Sequence, residues 1–191
     1  AGAGCLFHHG ECQLIEEKAG EIVQFGNLPP LHVAVDVREA QTPARRRVGV
    51  IGFGFWMTSI NGAVDAAVDR FRQADGVIFD LRGNPGGLAL MMNGVAGHVL
   101  ATEAVLGRMQ TREMHDHPLT FTANPRFATE DGRRVTPFAG PVAILVDELT
   151  ASTSECFAGG LQSLGRARIF GRRSAGQALP ASTKLLANGD V

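Results

Sequence analysis

Val142-Ala143-Ile144-Leu145-Val146, then Asp147-Glu148-Leu149 and Thr150-Ala151-Ser152-Thr153-Ser154-Glu155, is the stretch on which the fold turns. Five consecutive apolar residues read as a buried strand. The amphipathic segment that follows, with Phe157, Leu161 and Leu164 on one face, reads as a helix. A serine held where a strand turns into a helix has backbone N–H groups and the positive end of the helix dipole beside it. Such a place suits an attacking oxygen and a developing oxyanion. Ser152 is therefore the candidate nucleophile, and the plainer alternative is a helix cap, the ordinary job of Ser and Thr at a helix start.

A second stretch upstream repeats the pattern. Val77-Ile78-Phe79 leads into Asp80-Leu81-Arg82-Gly83-Asn84-Pro85-Gly86-Gly87 and then into another helical pattern. Gly86 and Gly87 have no side chain to keep a ligand away from their N–H groups, so this turn can offer a backbone donor to an anion. The alternative is a plain turn, since Asn-Pro-Gly-Gly is strong turn chemistry.

Together the two segments resemble the C-terminal processing, or tail-specific, serine peptidases of peptidase family 41. Their Asp-Leu-Arg-Gly-Asn-Pro-Gly-Gly and Thr-Ala-Ser-x-x-Glu segments are matched in the same order here. The similarity runs over residues 48–184 and includes Gly165-Arg166-Ala167, Phe170-Gly171 and Ser174-Ala175-Gly176. The resemblance implies a Clp-protease and crotonase-like fold, with Ser152 as nucleophile three residues before Glu155. It also implies an oxyanion hole made by the Thr153 N–H and a glycine N–H of the Gly86-Gly87 turn, and a peptide or protein substrate. Thr153 stands where the family usually has alanine. A periplasmic or secreted location is suggested by the resemblance alone.

One position departs from that pattern. The processing-peptidase branch places a general-base lysine 25 residues after the nucleophile, and that position here is Gln177. A neutral amide cannot take the serine proton, so a Ser/Lys dyad is excluded at these positions. Lys184, in a strand-like stretch, is a weak substitute. Relatives similar to the tricorn core and to the retinoid-binding repeats of photoreceptors also lack the lysine. Active tricorn-like members use a histidine from an N-terminal segment and a later acidic residue, whereas the retinoid-binding relatives use the same core for apolar ligands. Gln177 places the chain on this non-lysine side.

None of the six histidines lies in a matching motif. His8 and His9 fall in a Gly-rich N-terminus, and His32 opens an extended segment after Pro29-Pro30. His98 sits one residue off the apolar stripe Leu88, Met91, Val95, Val99. His115 and His117 flank Asp116 in a charged loop. Two ligands and a neighbour fall short of a metal site, so no metal and no cofactor are expected.

Apolar runs alternate with helical patterns elsewhere: a strand over 48–55, a helix over 63–71, a strand over 77–81, a helix over 88–100, then strands over 105–109 and 142–146. Such alternation predicts an α/β fold of βαβ units around a mostly parallel sheet. Gly52-Phe53-Gly54 lacks the third glycine of a dinucleotide loop. Residues 111–138 are polar with three prolines and read as a lid, a disordered excursion or a surface loop. Residues 1–47, with short strand patterns at 13–15, 22–25 and 33–35, read as the end of a PDZ-like domain plus a linker, and 48–191 as the peptidase core. Leu185 to Gly189 reads as a strand entering an Asn-Gly hairpin with no second strand after it, and the start lacks a methionine. The sequence therefore reads as a fragment, a processed chain or part of a longer protein, and the absent base as lying in the remainder.

Composition narrows the classes. The 191 residues are 45% hydrophobic, enough for one substantial core, and carry a net charge of −1. That balance gives no electrostatic reason to expect nucleic acid or membrane as a partner, and the Ala44-Arg45-Arg46-Arg47 run closes the linker. No membrane insertion is expected, and a homo-oligomer stays open. Cys5 and Cys12 could bridge in an oxidising compartment. Cys156 reads either as a reactive thiol at a helix start or as a small buried apolar residue. Two further functions remain: a noncatalytic ligand-binding or scaffold module that kept the fold and lost the base, and a crotonase-type acyl-CoA enzyme. Ser152 has no purpose in the latter.

Overall fold

The computed structural model describes residues 17–23, 31–110, 118–129, 131–179 and 187–188. In chain order its elements are β1 (Glu17–Val23), β2 (Leu31–Gln41), β3 (Arg47–Phe53), α1 (Asn61–Arg70), β4 (Gly76–Asp80), α2 (Met91–Gly97), β5 (Ala104–Met109), β6 (Leu119–Ala123), β7 (Val142–Val146), α3 (Thr153–Ser163) and β8 (Ala167–Gly171). Six strands form one sheet in the order β1-β2-β3-β4-β7-β8, while β5 and β6 pair in a sheet of their own. β3, β4, β7 and β8 run parallel, and β1 and β2 extend the sheet antiparallel from β3. This is the α/β core of βαβ units that the alternation predicts.

The parallel strands are apolar because crossover helices cover them. Val77 and Phe79 of β4 and Val142, Ile144 and Val146 of β7 are buried. β4 and β7 are neighbours in register, Asp80 opposite Leu145, so the two strand-to-helix turns leave the sheet side by side at its carboxyl edge. In open parallel sheets that edge is where ligands bind. Beneath the turns lies an aromatic cluster. The ring centroids of Phe53 and Trp56 are 4.8 Å apart, those of Trp56 and Phe157 5.1 Å, and those of Phe79 and Phe157 5.4 Å. Offset and edge contacts of this kind add roughly 0.5–1.5 kcal/mol each beyond burial.

Four features differ from the sequence expectations. β5 leaves the main sheet to pair with β6, which arises inside the polar 111–138 stretch read as a lid or excursion. Phe121 and Phe138 anchor that stretch in the core, and residues 111–117 lie outside the described set. The helix expected over 88–100 narrows to α2, because Gly94 and Gly97 weaken it and tighter three-residue bonds such as Met91 N–H to the Leu88 oxygen take over at its ends. Lastly, β2 is hydrogen-bonded to β3 from Gln41 opposite Arg47 to Val35 opposite Phe53, so residues on both sides of position 47 share one sheet. The strand patterns at 13–15 and 24–25 fall outside the described residues.

Candidate active site

Ser152 caps α3 with φ 54° and ψ −121°. Among the described residues only Arg45 and Ser152 combine a side chain with a positive φ. Arg45 lies in the turn between β2 and β3, where its N–H donates to the Thr42 oxygen. At Ser152 the conformation costs on the order of 1–3 kcal/mol and persists only because its surroundings fix it. The strain makes a sharp strand-to-helix elbow that presents Oγ outward. Ser152 and Glu155 also form a reciprocal capping box across the first turn of α3, so the elbow and the helix cap fall on the same residue.

What fixes the elbow is a set of cross-links to the β4–α2 turn. Gly83 N–H donates to Asp147 Oδ1 at 2.9 Å, Thr150 Oγ1 donates to the Leu81 oxygen at 2.8 Å, Ala151 N–H donates to the Asn84 oxygen at 3.0 Å, and Thr153 Oγ1 donates to the Gly87 oxygen at 2.8 Å. Thr150 and Asn84 are fully buried, so each bond satisfies a group that would otherwise be stranded. Asn84 also reaches back to β3, its Nδ2 donating to the Phe53 oxygen at 2.7 Å. Trp56 Nε1 donates to Ser154 Oγ at 2.8 Å, which fastens the first turn of α3 to the aromatic cluster. Losing that hydroxyl would strand a buried indole N–H at a cost of roughly 1–3 kcal/mol.

Gly86 and Gly87 lie against the elbow. A Cβ on Gly86 would stand 2.6 Å from Ser152 Cβ, and one on Gly87 2.4 Å from the Trp56 oxygen, so neither position tolerates a side chain. The two differ as donors. Gly86 N–H is already held by Asn84 Oδ1 at 2.9 Å, which corrects the expectation that either glycine could serve an oxyanion. Neither Gly87 N–H nor Thr153 N–H has an acceptor among the described residues.

Glu155 ties the far side of the elbow. Its carboxylate accepts from Ser152 N–H at 3.0 Å, Ser174 Oγ at 2.7 Å, Gly176 N–H at 2.7 Å and Gln177 N–H at 2.9 Å. Burial opposes its ionisation, but these four donors outweigh burial and hold its carboxyl below the usual range. Gln177 also accepts Ser152 N–H on its own carbonyl oxygen at 3.1 Å. The residue at the lysine position is thus bound to the elbow through its backbone.

The model of peptidase family S41 matches residues 47–191. The chain belongs to peptidase family S41. The carboxyl-terminal-processing protease of Synechocystis is 36% identical over 119 residues, which cover 61% of this chain and 24% of that protein. Its namesake in Picosynechococcus is 31% identical over 164 residues, covering 85% of this chain and 36% of that protein. The chain therefore spans about a quarter to a third of these relatives' length. Among solved structures, the photosystem II D1 C-terminal processing protease superposes with a TM-score of 0.59 at 22% identity, covering 78% of this chain and 41% of that one. Mature CPAF gives 0.58 at 13% identity, covering 75% and 41%. The last two comparisons speak for the S41 fold.

Against that family fold the remaining candidates sort clearly. His98 is buried, and its Nε2 lies 2.5 Å from Asp65 Oδ1 of α1, with Arg126 on the other carboxylate oxygen. It serves the packing of α1 against the end of α2. His32 lies in β2 opposite Ile22, whereas His8, His9, His115, His117, Lys184, Cys5 and Cys12 lie outside the described residues. The Cys156 thiol is half-buried, and burial first and Glu155 second push its pKa up, against a reactive thiolate. A cavity of about 480 Å³ opens beside Ser152 and Thr153, walled by Met92, Leu106, Met109 and Phe121. The sequence reading missed Asn84, Thr150 and Glu155 as positioning groups. Their signal was present in both motifs, but their partners sit far along the chain.

Proposed function

We propose that the protein is the nucleophile-bearing core of a serine peptidase that cleaves a peptide or protein chain through an acyl-enzyme on Ser152. The observation that carries this reading is the Ser152 elbow, a strained φ of 54° at the turn from β7 into α3. Oγ attacks the carbonyl carbon, and the oxygen of the tetrahedral centre meets Gly87 N–H and Thr153 N–H. Collapse breaks the C–N bond, the amine leaves with a proton, and water hydrolyses the ester. Gln177 cannot accept the Oγ proton, so the base comes from a group outside the described residues. The relatives' names point to cleavage near a carboxyl terminus, and a periplasmic or secreted setting fits the family resemblance. Among the described residues no helix is long and apolar enough to cross a membrane.

The test is labelling of the full-length protein with a fluorophosphonate, with Ser152→Ala as control. The expected result is a stoichiometric adduct on the Ser152 peptide, absent from the variant. A folded full-length protein that takes no label would overturn the reading and favour a noncatalytic ligand-binding module on the same fold.

A further inference from the structure

The cavity beside Ser152 follows one face of α3. Ser152, Cys156 and Gly159 are spaced i, i+4 and i+7, and all three line it. Seven residues of helix span roughly 10 Å, so the cavity runs two turns away from the nucleophile. Its walls are chiefly apolar, with the exposed Arg108 among the residues that line it.

Gly159 stands out on this face. It lies inside α3, where glycine costs about 0.5–1 kcal/mol relative to alanine. Its neighbour Gly160 has a packing reason, because a Cβ there would stand 2.6 Å from the Leu106 oxygen. Gly159 has none: it is exposed, and a Cβ built on it meets no atom within 4 Å. Gly159 is part of the cavity wall, so a side chain added there starts from that wall with open space in front of it.

We propose that Gly159 determines substrate specificity by leaving this cavity long enough for a large apolar side chain, that of leucine, methionine or phenylalanine, on the acyl side of the cleaved bond. The proposal rests on the acyl-enzyme reading of Ser152. A carbonyl carbon at Oγ, with its oxygen toward Thr153 N–H, sits one bond from the Cα of the acyl residue. That residue's side chain therefore enters the space that Ser152 and Thr153 both line. The apolar walls reward burial of each methylene, and a missing or extra methylene in such a pocket changes reactivity by roughly 10–200-fold.

Peptidyl diphenyl phosphonates carrying leucine, phenylalanine or alanine at the acyl position, reacted with the full-length protein, measure this directly as second-order rates of Ser152 modification. The wild type is expected to prefer leucine or phenylalanine over alanine by about tenfold or more. In Gly159→Leu the preference is expected to reverse, with the alanine probe reacting within about twofold of wild type and Gly159→Ala falling between. Both variants replace glycine by a better helix former, so thermal unfolding is expected at or above the wild-type temperature. Labelling of Ser152 with the same ranking in wild type and Gly159→Leu would overturn this proposal alone, as would a wild-type preference for alanine. Failure of every probe to label the folded protein would overturn the acyl-enzyme reading and this proposal together.

Discussion

The two turns that build the site achieve rigidity by opposite means. The β7–α3 turn is held by side chains, with Asp147, Thr150, Thr153 and Glu155 each bonding to backbone across a gap. The β4–α2 turn relies on bareness: Gly86 and Gly87 let the backbone approach Ser152 and Trp56 to distances no Cβ allows, Asn84 is the side chain of its own that ties it to β3, and its backbone meets the side chains of the other turn. The difference teaches that glycine is required where one turn's backbone must press against the other, as at Gly86 against Ser152. The strained Ser152 backbone, by contrast, needs polar side chains around it to keep it strained.

The largest expected effect comes from putting a side chain into the bare turn. Gly87→Ala sets a Cβ against the Trp56 oxygen at φ +136°. It should destabilise by roughly 3–5 kcal/mol in a denaturant melt and abolish fluorophosphonate labelling. A near-neutral melt would show that the close approach is not required. Next is Asn84→Ala, which strands the buried Phe53 oxygen and frees Gly86 N–H. A loss of roughly 2–4 kcal/mol is expected by the same melt, with labelling slowed more than stability alone explains.

The smallest effect tests the side-chain-held turn through pH. The folded pKa of Glu155 lies below its ordinary 4.5, so the ionised carboxylate favours the folded state. Its contribution is complete above about pH 4.5 and is lost as the pH falls through the lowered folded value. Glu155→Gln should therefore melt below the wild type at neutral pH, and the gap should close in acid. A gap that persists unchanged at low pH would mean that shape, rather than charge, holds the turn.

Much of this was legible in sequence because the strongest signals are local. The β7 run and the Ser152 turn that follows it are written in consecutive residues, and β7 falls on residues 142–146 as the apolar run indicates. β6 was missed although Leu119, Phe121 and Ala123 alternate with threonines, a period-two pattern diluted by the polar stretch around it. The end of α2 was overrun because its apolar stripe continues past Gly97 while the helix does not. The choice between Gly86 and Gly87 was not legible at all, since it depends on which N–H the Asn84 amide captures. The Trp56–Ser154 bond, 98 residues apart in sequence, lies equally beyond any local pattern.

The most direct test of the account is a crystal structure of the full-length protein after reaction with a phosphonate. The account predicts an adduct on Ser152 Oγ whose phosphoryl oxygen lies about 2.7–3.1 Å from both Gly87 N and Thr153 N, with Gly86 N–H still on Asn84. An adduct on another residue, or a phosphoryl oxygen turned to solvent away from both donors, would contradict it.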